Sequence, residues 1–212
     1  MIIHQKESYD VVSARLYAQI LTSPRLKDML LPEGILRSPY EILDYRLRLT
    51  LHDREGMRAT FRRSQTIRFL QAGVSGILDH AWGSGIVMTT YYNDAGCLAD
   101  SFRDEGRRHM VVRLKRAMGP GEMLTFHVER TTMASFVAED QWWMETTIDH
   151  PIRNLSVEVV FPRTRAPLYA LLDHSGDERS MPVHWRADGR YQVRFDLGAA
   201  DAHAPYFIRW AW

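Results

Sequence analysis

Glu41-Ile42-Leu43-Asp44-Tyr45-Arg46-Leu47-Arg48-Leu49-Thr50-Leu51 is the stretch that decides the fold, because Leu43, Tyr45, Leu47, Leu49 and Leu51 alternate with polar or charged residues. A period of two is the mark of a strand with one face on a core and the other in water. His52-Asp53-Arg54-Glu55-Gly56 then makes a polar turn. Met57, Ala59, Phe61, Ile67 and Phe69 continue the alternation, with Arg58, Arg62 and Arg68 on the opposite face. The two runs read as a long hairpin.

Working outward, the same period recurs in strands at about 85–92, 107–115, 122–132, 142–149, 155–161, 168–173, 181–185, 190–197 and 206–212. Turn formers separate them: Asn93-Asp94-Ala95-Gly96, Met118-Gly119-Pro120-Gly121, His150-Pro151, Ser175-Gly176-Asp177 and Ala187-Asp188-Gly189. Short strands with few helices between them favour antiparallel pairing, since parallel strands need long crossovers. One-sided alternation also calls for a second layer over the apolar faces. The expected fold is therefore mainly β, an antiparallel two-sheet sandwich, immunoglobulin-like or related. Residues 1–39 differ. Tyr9, Val12, Leu16 and Ile20 form a stripe at helical spacing, and Ser23-Pro24 opens a second helical turn, so a helical lead-in precedes a sandwich domain over 40–212. A seam between two smaller sandwiches near 133–141 is the alternative division.

Composition narrows the chemistry. The 212 residues carry 27 basic and 26 acidic side chains, 45% hydrophobic residues and a single cysteine, Cys97. One cysteine excludes an intramolecular disulfide and thiolate-rich zinc or iron-sulfur sites within one chain. Near-neutral charge gives no global pull toward nucleic acid or membrane. The start, Met1-Ile2-Ile3-His4-Gln5-Lys6, has no signal-peptide pattern, and no run is long and apolar enough to span a bilayer. The sequence reading is cytoplasmic, with no membrane partner.

Catalytic motifs fail one by one. Gly73-Val74-Ser75-Gly76 lacks the glycine that a nucleophile elbow needs two residues after the serine, and Gly83-Ser84-Gly85 is followed by strand rather than helix. No Gly-Lys-Ser/Thr sequence occurs. The nine histidines never stand as His-x-His or as an i, i+4 pair, so no metal site begins and no cofactor is expected. Asp79-His80, Asp149-His150 and Asp173-His174 repeat one dipeptide, but strand neighbours face opposite ways, which suits turns better than catalysis.

The remaining signals concern binding. Arg46, Arg48, Arg58, Arg62 and Arg68 share the wet face of the hairpin, with few acids there apart from Asp44. Guanidinium forks suit anions, so these five are the ligand candidates, with nucleotide or nucleic acid among the partners considered. Base-stacking aromatics do not interleave with them, which favours the alternative of a solvated face paired with acids from adjacent strands. Arg107, Arg108, Arg113, Lys115 and Arg116 form a second basic segment. Adjacent Trp142 and Trp143 must point to opposite faces, so one of them leaves the core. Those two, with Val12, Leu16 and Ile20, are the interface candidates for a protein partner or a second copy.

The segments Asp149-His150-Pro151, Leu155 through Pro162, Ala187 through Phe195 and Tyr206 through Trp212 resemble an uncharacterised β-rich domain that closes many bacterial multidomain signalling and defence-type proteins. The resemblance covers the C-terminal third and brings no family site residues. It implies a sensing or assembly module without catalysis. The expected function is thus a non-catalytic binding or assembly module; an enzyme with an unfamiliar His/Asp/Arg site and an arginine-face nucleotide binder are the alternatives.

Overall fold

A computed structural model describes residues 38–81, 86–104, 107–147, 152–200 and 205–212. The helical lead-in, with Val12, Leu16 and Ile20, and the Asp149-His150 dipeptide lie outside these residues, as does Gly83-Ser84-Gly85. Among the described residues fourteen strands follow one another: β1 (Tyr40–Leu51), β2 (Arg58–Phe69), β3 (Val74–Ala81), β4 (Ile86–Asn93), β5 (Gly96–Asp104), β6 (Arg107–Met118), β7 (Met123–Met133), β8 (Trp143–Thr147), β9 (Leu155–Phe161), β10 (Tyr169–His174), β11 (Asp177–Ser180), β12 (His184–Trp185), β13 (Tyr191–Leu197) and β14 (Pro205–Ala211). They form sheets of seven strands (β12-β13-β9-β1-β2-β7-β4), four strands (β11-β10-β14-β8) and three strands (β3-β6-β5).

The protein is mainly β, and its pairing is antiparallel in most registers, as the alternation predicts. The pairing of β1 with β9 departs from that pattern. β1 and β9 run parallel, from Tyr45 beside Leu155 to Thr50 beside Val160. The chain makes this crossover through intervening strands instead of a helix, an option that a reading of neighbouring segments does not reveal. Three strands also escaped the sequence reading. β11, Asp-Glu-Arg-Ser, is exposed at all four positions and has no alternation to detect. β3 and β5 carry register shifts, at Val74/Gly76 and Leu98/Asp100, which break the period.

The deciding stretch itself contains a shift. Tyr40 and Ile42 are buried, as are Leu47, Leu49 and Leu51, whereas Leu43 and Tyr45 are only half-buried, so burial passes from one face of the strand to the other between Ile42 and Leu47. The hairpin ladder is also uneven: His52 N donates to Arg58 O at one end and Leu70 N donates to Pro39 O at the other, which leaves one more residue on β1 than on β2. Such an extra residue is a β-bulge.

Two compact units make up the chain. Of the described residues, those within 38–41, 66–81 and 93–126 make the smaller and those within 42–65, 86–92 and 127–212 the larger. In the smaller unit, β6 is the central strand of the three-stranded sheet, and Ile77, Met110, Val111 and Val112 are fully or almost fully buried. Phe69 N is tied to Glu122 O at 2.9 Å, and Tyr40 meets Phe69 edge to face, ring centroids 6.2 Å apart.

In the larger unit, Leu49, Leu51, Leu155, Val157, Val159, Phe161 and Val193 line the inner side of the seven-stranded sheet, each at most 1% exposed. Each such side chain contributes on the order of 1.5–3 kcal/mol by leaving water. Tyr206, Ile208 and Trp210, from β14 of the four-stranded sheet, are buried as well. Phe161 meets Trp210 edge to face at 5.6 Å, and Phe195 stacks on Tyr206 at 6.0 Å. Inner packing of this kind leaves the opposite face of β13, β9, β1, β2 and β7 to carry the polar half of the alternation.

Candidate functional site

Registers place the polar side chains of the larger unit in rows that cross the strands. Arg194 of β13 stands beside Glu158 of β9, and Glu158 stands beside Arg48 of β1. Counting back along the hairpin from the His52–Arg58 bond sets Arg48 across from Arg62 of β2. Arg62 Nε donates to Glu129 Oε2 of β7 at 2.6 Å. The row therefore reads Arg194, Glu158, Arg48, Arg62, Glu129. A neighbouring row holds Asp196, Ser156 and Arg46 from the same registers, then Ser64 across the hairpin.

Glu158 is the fixed point of this array. It is 7% exposed, and it accepts Arg48 Nε on Oε2 at 2.5 Å and Arg186 Nη1 on Oε1 at 2.7 Å. Arg186 Nη1 also donates to Gln192 Oε1 at 2.7 Å. On β13, Arg194 grips Asp196 with Nε and Nη2, the latter 2.8 Å from Oδ1. Those bonds hold the Asp196 carboxyl below the usual carboxylate range against its partial burial, with the Ser156 hydroxyl and Arg46 acting in the same direction. Arg46 Nε lies 2.9 Å from Asp44 Oδ2.

The centre of the row is different in kind. Two like charges, Arg48 and Arg62, stand opposite each other, an arrangement that is unfavourable in a sheet unless neighbouring charges relieve it. Glu158 and Glu129 do so from the two flanks, each engaging the Nε of its arginine. Among the described residues the terminal Nη groups of Arg48 and Arg62 make no hydrogen bond, so each guanidinium keeps most of its five donors for something else. A cleft of about 480 Å³ opens over this doublet. It is lined by Arg46, Arg48, Arg62, Arg63 and Arg194 against Glu129 and Glu158, with Ser64, Ser156, His127 and Tyr92 completing the polar wall.

Of the five arginines expected from sequence, Arg46, Arg48 and Arg62 come together in this cleft. Arg58 stands at the turn end of the hairpin and does not line it. Arg68 belongs to the smaller unit, where it is ion-paired with Glu41. The face is also far less bare of acids than the hairpin alone implies, because Glu129, Glu158 and Asp196 arrive from strands remote in sequence. Arg63, Arg194, His127 and the two glutamates were not singled out from sequence. Their signal was the polar half of the alternation in β7, β9 and β13, which has no meaning until the strand order is known.

The tryptophan candidates separate as the strand geometry requires. Trp143 is 36% exposed, donates Nε1 to Asp140 O at 2.8 Å and meets Phe207 edge on at 6.0 Å. Trp142 is half-buried, and the Arg165 guanidinium lies over both its ring and that of Trp212, 5.3 and 4.4 Å from the centroids. Two Asp-His dipeptides are structural: Asp173 pairs with Arg209 at 2.9 Å while His174 stacks on Tyr206 at 4.2 Å, and buried Asp79 lies beside His80, which faces His109 across β3 and β6. Arg116 of the second basic segment pairs with Glu122 at 2.6 Å within the smaller unit. Cys97 is exposed on β5. Among the described residues no group of three His, Cys, Asp or Glu could hold a metal ion, and no helix is long and apolar enough to cross a membrane.

No protein-family model matches the chain, and no curated protein matches it. Solved structures do. A putative protease from Parabacteroides distasonis superposes with a TM-score of 0.52 at 13% identity, over 84% of this chain and 41% of that one. A two-domain M1 zinc metallopeptidase variant bound to L-arginine gives 0.50 at 12% identity, over 82% and 43%. The M1 zinc metallopeptidase from Deinococcus radiodurans gives 0.47 at 12%, over 81% and 42%. The chain spans less than half the length of each. At such identity the likeness to the first two is one of fold alone.

Proposed function

We propose that this chain is a non-catalytic binding module whose ligand seat is the Arg48–Arg62 doublet, where it takes an anionic group. The observation that carries this reading is the pairing of the two arginines through Nε alone, which leaves their forks available beneath the cleft. Glu158 and Glu129 set the guanidiniums in place, Arg46 adds a third positive charge, and the Ser64 and Ser156 hydroxyls supply neutral donors. Charge-assisted, forked hydrogen bonds of this kind suit phosphate and carboxylate alike. We place the module in the bacterial cytoplasm, with an immunoglobulin-like arrangement of its two larger sheets and a role in the assembly of a signalling or defence system. The peptidase names of the structural neighbours belong to proteins more than twice the length of the matched region, and at their identity to this chain they lend no site residue.

The test is a titration of the full chain with inorganic phosphate and pyrophosphate, followed by NMR at the arginine Nε–H signals. Saturable shifts confined to Arg46, Arg48 and Arg62, and lost in the Arg48→Gln/Arg62→Gln double variant with its fold intact, are the expected result. Shifts that never saturate, or that survive the double substitution, would dismiss the seat.

A further inference from the structure

The cleft is longer than a single anion needs. Its lining comes from β13, β9, β1, β2, β7 and β4, six neighbouring strands, which at about 4.8 Å per strand makes a trough of roughly 24 Å across the sheet. Its charges also alternate in sign. Arg194 stands at one end, the Arg48–Arg62 doublet lies in the middle, and Glu129, whose side chain is 43% exposed, follows one strand further on.

We propose that the occupant of the trough is an extended peptide segment of a protein partner, with acidic side chains on Arg194 and on the doublet and a basic side chain on Glu129. This rests on the anion seat proposed above and specifies what brings the anion there. Extended peptides present same-face side chains every ~6.7 Å. From the midpoint of the doublet, Arg194 is about 12 Å away, close to two such steps, and Glu129 is about 7 Å away on the other side, close to one. The matching segment therefore carries a basic residue at position i−2, an acidic residue at i and a second acidic residue at i+4. Buried Glu158 lies beneath position i+2, where a small neutral side chain fits, because its charge is already met by Arg48 and Arg186.

Single-stranded nucleic acid fits this trough less well. Its phosphates would run against Glu129, and among the described lining residues only Tyr92 and the His127 imidazole offer rings, whereas strand binders stack successive bases on several.

The experiment uses the acetylated, amidated peptide Lys-Ser-Glu-Ser-Ser-Ser-Glu, its charge-reversed counterpart Glu-Ser-Lys-Ser-Ser-Ser-Lys, decathymidylate and inorganic phosphate, each titrated against the full chain. The first peptide is expected to bind at least tenfold more tightly than its counterpart, to displace phosphate, and to lose that preference in the Arg48→Gln/Arg62→Gln variant. Glu129→Gln is expected to weaken the first peptide by a larger factor than a version with serine in place of its lysine. Equal binding of the two peptides, or decathymidylate binding as tightly as the first, overturns the inference. Phosphate saturating the cleft without displacement by peptide overturns it too while leaving the anion seat standing. Failure of phosphate and peptide together removes both.

Discussion

Glu158 and Arg48 form an ion pair of 2.5 Å across the parallel pair of β1 and β9, and Glu158 is buried there while half of the Arg48 side chain remains in solvent. The carboxylate is thus the fixed partner and the guanidinium the presented one. Removing a buried acid that satisfies two arginines leaves unmatched charge, whereas hydrogen bonds to charged groups contribute about 1.5–3 kcal/mol when made. Glu158→Gln should lower stability by about that amount in urea denaturation, and it should also disorder the Arg48 Nε–H signal.

The Arg62–Glu129 pair should behave differently, since its side chains are 58% and 43% exposed. Pairs so well solvated typically contribute between about 0 and 1 kcal/mol. Arg62→Gln should therefore change the unfolding midpoint little, and its effect on anion binding can be read without a folding defect. A large loss of stability in this variant would assign Arg62 a structural role.

His52 supplies a pH prediction. Its pKa is lowered, first by partial burial and then by the guanidiniums of Arg58, Arg190 and Arg62, with Asp53 opposing, while Nε2 lies 2.8 Å from Thr60 Oγ1. A histidine with a folded pKa below its unfolded value binds protons more readily when unfolded, so stability falls as pH drops through the unfolded value near 6.5. Thermal melts between pH 7.5 and 5 should show this decline, and His52→Gln should flatten part of it. An unchanged slope in that variant would assign the decline to other groups.

Two glycines are predicted to be indispensable to the fold. At Gly56, φ is 72° and a Cβ would come 2.2 Å from the Phe136 carbonyl oxygen. At Gly96, on β5, a Cβ would come 1.8 Å from the Arg113 carbonyl oxygen. Both obstacles are backbone and cannot rotate away. Gly56→Ala and Gly96→Ala should each cost more than about 2 kcal/mol by chemical denaturation, at the severe end for single substitutions.

The sequence by itself determined the strand class, the hairpin from Tyr40 to Phe69 and the outward turn of one of two adjacent tryptophans, because alternation along a single strand is a local property of the backbone. It also singled out Arg46, Arg48 and Arg62 as facing water. Only the tertiary structure decided what those arginines face. The parallel pairing of β1 with β9 brings Glu158 beside Arg48, and the pairing of β2 with β7 brings Glu129 beside Arg62. Neither pairing leaves a trace in the local pattern, since ladder hydrogen bonds are made by backbone groups common to every residue. The bulge in β1 was hidden for the same reason: an extra residue shows only against its partner strand.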